Sequence, residues 1–245
     1  MTRIYDALRQ AEKDRQEQPS IEDFGELESP PSAGFRVESS IREQLHCVYQ
    51  AIAPEKAEIG TVITFTSACP GEGVSTLCRE FAKLASTELG DRVLLLDADY
   101  GNGHHSEHFG VPIRADFEAV TGGRLEVSEV LSTVIDERLD LGAIALNGVS
   151  TASITKRPRF SDTLEQLRQD FDFILIDAPP VTESSQSLAF ASMAQGVVFV
   201  VAAESTRWQV ANRVKEDIEK TGGNILGVVL NKKAHHIPEF IYKRL

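Results

Sequence analysis

Six short, almost uniformly apolar runs constrain this chain of 245 residues more than any other feature. They are Thr61–Phe65, Val93–Leu96, Gly142–Leu146, Phe173–Ile176, Gly196–Val201 and Ile225–Leu230. A strand with one wet face alternates apolar and polar residues. These runs do not, so both of their faces must be covered. Amphipathic helices expected near residues 75–88, 160–170, 185–194 and 207–221 supply the cover. Phe160, Leu164 and Leu167 make one apolar stripe, and Val210, Val214 and Ile218 another. A further helix over Ser40–Ile52 carries Ile41, Leu45, Val48 and Ile52 at helical spacing. Strands alternating with helices predict an α/β fold, a doubly wound and mostly parallel sheet with helices on both faces.

The chain divides by composition. Residues 1–38 read as an N-terminal amphipathic helix, with Ile4, Leu8 and Ala11 on one face, followed by an acidic linker rich in Glu, Pro, Ser and Gly. Residues 39–235 carry the α/β pattern, and residues 236–245 form a tail. With 37 acidic against 25 basic residues the formal charge is −12. No positive field exists to collect nucleic acid or anionic lipid. The apolar runs fall far short of the ~18–20 residues of a membrane helix, so action at a membrane needs another polypeptide to hold the chain there. Cys47, Cys69 and Cys78 form no Cys-x-x-Cys pair, and a reducing cytosol is the expected compartment.

Directly after the first run comes Thr66-Ser67-Ala68-Cys69-Pro70-Gly71-Glu72-Gly73-Val74-Ser75-Thr76, and then the stripe Leu77, Phe81, Leu84. A strand, a glycine-bearing loop and a helix N-terminus form a cradle for phosphate, because unpaired amides and the positive end of the helix dipole converge on the anion. Ser75 sits where a hydroxyl would meet Mg²⁺. Val74 stands where the pattern requires lysine, and Ala68 where it begins with glycine. Two further runs end in carboxylates, Leu96-Asp97-Ala98-Asp99 and Ile176-Asp177-Ala178-Pro179-Pro180. Open α/β sheets bind ligands beyond the carboxyl ends of their strands, where these three aspartates must lie.

With these segments in place the chain resembles the cytoplasmic domain of the bacterial tyrosine kinases (BY-kinases) of exopolysaccharide and capsule synthesis, over about Ser39 to Asn231. Pro70-Gly71-Glu72-Gly73-x-Ser75-Thr76 is similar to that family's phosphate loop, and the two Asp-bearing segments to its acidic motifs. Gly227-Val228-Val229-Leu230-Asn231 resembles the segment whose asparagine faces adenine. The resemblance implies a deviant P-loop fold related to the partitioning ATPases, with ATP and Mg²⁺ as ligands. It implies that Gly71, Glu72, Gly73, Val74, Ser75, Thr76 and Asn231 line the nucleotide. Ser75, Asp99 and Asp177 would hold Mg²⁺, and Asp97 would take the proton of an incoming tyrosine hydroxyl.

Four departures point to a degenerate member. Val74 has neither charge nor donor, and losing one preorganised transition-state contact costs on the order of 10²–10³ in rate. Cys78 shares its helical face, Arg79 points about 140° away, and Lys232 and Lys233 are conceivable substitutes. The family's Glu-x-x-Arg-x-x-Arg assembly helix reads Glu43-x-x-His46-x-x-Tyr49 here, which puts ring formation in doubt. The tyrosine-rich tail is reduced to Tyr242, and the basic residues after the second acidic motif are replaced by Tyr100-Gly101-Asn102-Gly103. The expected role is a weakly catalytic or non-catalytic regulatory or scaffolding subunit. Its partner would be an intact kinase or a membrane chain-length-determining protein. The alternative is an active tyrosine autokinase or partitioning-type ATPase with a surrogate cation.

Three side features are read as plain structure. His104, His105, Glu107 and His108 are expected as solvated loop residues rather than a metal site. Cys69, whose pKa helix-end amides could lower, is expected as a loop filler. Trp208 is expected to pack.

Overall fold

The computed structural model describes residue 37 and residues 41–52, 59–99, 105–113, 115–135, 137–144 and 158–233. The expected N-terminal helix and linker therefore lie outside the described residues, apart from residue 37. So do Tyr100-Gly101-Asn102-Gly103, His104 and the tail with Tyr242.

Helix α1 spans Arg42–Ile52, strand β1 Thr61–Ser67 and helix α2 Val74–Lys83, which runs on into a π-helical stretch, Leu84–Leu89. Then come β2 (Val93–Asp97), α3 (His105–Phe109), α4 (Phe117–Thr121) and α5 (Val127–Val130). They are followed by β3 (Ser132–Ile135), β4 (Leu139–Ala143), α6 (Pro158–Leu167) and β5 (Phe173–Asp177). The last elements are α7 (Gln186–Met193), β6 (Gly196–Ala202), α8 (Trp208–Lys220) and β7 (Ile225–Asn231). The seven strands form one sheet in the order β3-β4-β2-β5-β1-β6-β7. All pairings are parallel except β3 with β4.

Every residue of β2, β5 and β6 is buried, as continuous apolar runs covered on both sides require. Parity sorts the side chains between the two faces. Val93, Leu95, Phe173 and Leu175 pack in one cluster with Val74, Cys78, Phe81 and Phe109. Leu94, Leu96, Ile174 and Ile176 pack in another with Phe117, Phe160 and Phe190. The next odd residues along β2 and β5 are Asp97 and Asp177. Both aspartates thus emerge on the face that α2 and α3 cover.

Two sequence expectations shift. The third strand runs Leu139–Ala143 rather than Gly142–Leu146; residues 139–141 read Leu-Asp-Leu, and the polar Asp140 masked the strand's start. The antiparallel edge strand β3 was not foreseen, because Ser132–Ile135 is too short to show a period.

Helix α1 uses the altered assembly positions within its own chain. Tyr49 donates its hydroxyl hydrogen to Asp91 Oδ2 at 2.7 Å and packs its ring against Phe81 and Phe173. Burial, then the Asp91 hydrogen bond, pushes its ionisation upward. Arg42 and His46 reach Glu88 at 3.1 and 3.8 Å. Trp208 departs from expectation: it is 69% exposed, because it occupies the first position of α8, ahead of the buried stripe residues Val214 and Ile218.

Candidate functional site

The site begins with a loop held from beneath by its own glutamate. Glu72 is 2% exposed. Its Oε2 accepts from the Cys69 amide at 2.8 Å, and its Oε1 from the Ala202 amide at 3.0 Å and from the Thr206 hydroxyl. A buried carboxylate with this many donors ties the loop to the end of β6. Asn231, at the end of β7, donates from Nδ2 to the Glu72 carbonyl at 2.8 Å. Gly73 caps α2 with φ 92°, and a Cβ there would collide with Asn231 Nδ2. Only glycine satisfies both the backbone angle and the approach. Thr182 donates to the Ala68 carbonyl at 2.6 Å, and the Val181 amide to the Ser67 carbonyl at 2.9 Å, so the Pro-Pro segment after β5 is fastened to the same loop.

Of the residues expected to meet nucleotide, Gly71 and Thr76 are exposed, while Gly73, Ser75 and Asn231 are half-buried. Glu72 faces inward, so its part is to shape the loop. Val74 is 8% exposed and sits in the apolar cluster with Cys78 and Phe81. Lys232, with φ 55°, donates from Nζ to the Gly71 carbonyl at 2.5 Å and brings an ammonium to the rim of the loop. Arg79 acts elsewhere: its charge bears on Cys78 and on His108 across in α3. The Cys69 thiol is pushed up by partial burial and then by the Glu72 charge, against the lowering that helix-end amides would bring.

The carboxylates form the second half of the site. Asp97 and Asp177 stand opposite each other in the parallel ladder, on strands about 4.8 Å apart. They are 2% and 0% exposed. Burial raises the pKa of Asp97 to about 7; His105 opposes the rise and Asp177 adds to it. The Asp99 amide donates to Asp97 Oδ1 at 3.0 Å. Cys78 lies beneath, its thiol pushed well up by burial and then by Asp177 and Asp97.

His105 was expected in a solvated loop and is instead fully buried at the start of α3. Its Nε2 lies 2.8 Å from Asp177 Oδ2. Phe109, one turn on, is buried in the core and holds the short helix inward. The histidine cluster in the sequence was the only signal, and nothing in it told His105 from His108, which is exposed. Partial burial, then the Arg79 and Lys83 charges, push His108 down to about 4.

The two halves differ in what they fit. The loop, with its glycines and helix N-terminus, fits a phosphate. The acidic half does not fit Mg²⁺ as it stands. Mg²⁺ demands near-octahedral oxygens at about 2.0–2.1 Å and keeps several waters. Asp177 gives one oxygen to an imidazole, and both atoms are sealed from solvent. Among the described residues no group of three or more His, Cys, Asp or Glu could hold a metal ion. A separate cleft of about 410 Å³ near Arg124, Arg159 and Asp162 mixes charges of both signs without convergence on a point.

No protein-family model matches the chain. The Ralstonia solanacearum protein EpsB is 26% identical over 171 residues, which cover 69% of this chain and 22% of EpsB. The tyrosine-protein kinase CpsD of Streptococcus agalactiae is 26% identical over 174 residues, covering 70% of this chain and 75% of CpsD. The succinoglycan biosynthesis transport protein ExoP of Rhizobium meliloti is 27% identical over 176 residues, 70% of this chain and 22% of ExoP. The chain thus spans only about a fifth of EpsB and of ExoP. The VpsO kinase domain superposes with a TM-score of 0.67 at 26% identity, covering 80% of this chain and 95% of that domain. The kinase domain of the Escherichia coli tyrosine kinase ETK gives 0.73 at 17% identity, covering 91% and 89%. The loop spacing, the paired acidic strand ends and the sheet order accompany this likeness: the chain is similar in sequence and fold to the bacterial tyrosine kinase (BY-kinase) family.

Proposed function

We propose that this chain is a BY-kinase-like component of exopolysaccharide synthesis and export that works as a regulatory or scaffolding subunit, with weak or absent phosphoryl transfer. One observation carries the reading: Val74 occupies the lysine position and is buried in the apolar cluster rather than open to the loop. The triphosphate loses a charge-assisted hydrogen bond worth roughly 1.5–3 kcal/mol, next to carboxylates that already repel it. The loop amides remain, so Gly71, Glu72, Gly73, Ser75 and Thr76 still make a seat for phosphate, with Asn231 at its edge. Asp97, Asp99 and Asp177 keep the places of an acidic motif without the lysine that would balance them.

The partner would be an intact kinase or a membrane chain-length-determining protein. Among the described residues no helix is long and apolar enough to cross a membrane; in this reading such a partner recruits the chain from the cytoplasm. Ring assembly is disfavoured because Tyr49 is spent on Asp91 within the chain.

A second reading has one observation in its favour: the Lys232 ammonium at the Gly71 carbonyl is placed at the rim of the loop. In that reading Lys232 swings onto the terminal phosphate and the chain is an active kinase or ATPase. Calorimetry with Mg·ATP followed by a radiolabelled transfer assay separates the two. We expect no transfer above background by the natural chain, and tighter nucleotide binding by Val74→Lys. Robust transfer that Asp97→Asn and Lys232→Ala both abolish would establish the second reading instead.

A further inference from the structure

We propose that His105 takes the seat of the divalent cation on Asp177, so that this chain engages phosphate-bearing ligands without a divalent metal, and a metal enters only by displacing the imidazole. The inference deepens the reading of the same site as a phosphate cradle and rests on it.

The argument starts from the sheet. Register places Asp97 and Asp177 side by side on one face, and neither is open to water. Two such carboxylates need a positive or hydrogen-donating neighbour. In a metal-dependent site that neighbour is the ion; here it is a side chain of the chain itself. The His105 ring is fully buried, with Nε2 at 2.8 Å from Asp177 Oδ2.

The placement is enforced from two sides. Phe109 and Val111 are buried in the cluster beneath α2, which fixes the helix that His105 opens. Across from it, the Asp177 backbone is locked between the Ala98 amide, which donates to the Asp177 carbonyl at 2.9 Å, and the rungs to β1. Neither Asp177 Oδ1 nor His105 Nδ1 has a hydrogen-bond partner among the described residues, and both atoms are shut off from solvent. Both side chains are closed to solvent with the ring in place, so a cation that keeps its waters reaches Asp177 only when the ring moves aside.

The test compares the full-length natural chain with His105→Leu, whose side chain fills the same space without a ring nitrogen. Binding of a fluorescent ADP derivative is measured in excess MgCl₂ and in EDTA. For the natural chain we expect the two affinities to agree within about two-fold, and for His105→Leu we expect Mg²⁺ to tighten binding by about ten-fold or more. An Mg²⁺ gain of that size in the natural chain, equal in the variant, overturns the proposal.

Manganese alone provides a readout that needs neither nucleotide nor the variant. In the natural chain labelled with ¹⁵N-histidine, the His105 ring resonances should stay sharp as Mn²⁺ is added, and their selective broadening would overturn the proposal. Failure of either chain to bind ADP under any condition sinks the phosphate-cradle reading, and the Mn²⁺ titration still decides the role of His105.

Discussion

The phosphate loop and the acidic corner lie at the ends of neighbouring strands, β1 and β5, yet they hold their shapes by opposite means. The loop is built of backbone: glycines at Gly71 and Gly73, amides gathered at the start of α2, and one buried carboxylate, Glu72, tying it down. The corner is built of side chains: Asp97 and Asp177 side by side in the ladder, and His105 on Asp177. A cradle made of amides would survive valine in place of lysine at position 74, because the groups that would meet phosphate belong to every residue type. A metal corner survives no such substitution. One imidazole on one carboxylate oxygen is enough to change what it binds.

That contrast can be broken most forcefully at His105. Removing one partner of a buried pair strands the other, so His105→Leu should lower unfolding stability by about 3–5 kcal/mol. Most of the loss should return in the double variant with Asp177→Asn. Urea unfolding of the three chains measures this. If the double variant is as unstable as the single, the pair is not what holds the corner together.

Asp97 offers a test of the next size, with a sign that pH reverses. Burial pushes its carboxyl up to about 7 from an ordinary 3.8, so the folded chain holds the proton more tightly than the unfolded one. The stability this contributes is complete below about pH 4 and drains away as pH rises through 7. Asp97→Asn cannot ionise. It should match the natural chain near pH 4 and exceed it at pH 8 by up to about 4 kcal/mol. Parallel stability curves across that range would remove the picture of an Asp97 carboxyl that burial keeps protonated.

The smallest effect belongs to the loop. Glu72→Gln keeps one carbonyl acceptor and loses the charge, so a loss of about 1–2 kcal/mol is expected, read from the urea midpoint. The variant should also bind nucleotide less well, because the loop is no longer held to Ala202 and Thr206. A loss as large as that at His105 would mean that loop and corner are equally dependent on side chains.

Much of the fold was legible before any coordinates. Val93–Leu96, Phe173–Ile176 and Gly196–Val201 announced a sheet buried on both sides, and their strands extend by one residue at most beyond those bounds. Helix α8 followed its stripe to within a residue at either end. The loop was legible for the same reason: its parts are contiguous, so spacing alone defines the turn. What escaped was short or distant. Ser132–Ile135 is too brief to carry a period. Trp208 looked like a packing residue by type, and only its place in the first turn of α8 left it in solvent.

Sequence by itself determined the doubly wound sheet, the position of the loop and the strands on which Asp97 and Asp177 ride, because strand and helix periods and turn residues act between near neighbours. Tertiary structure alone decided which way Glu72 faces, where Val74 is buried and what stands on Asp177. Those contacts join residues far apart in the chain, Glu72 to Ala202 and His105 to Asp177. A buried charge takes whichever partner the packed elements bring within reach, and no local pattern names that partner.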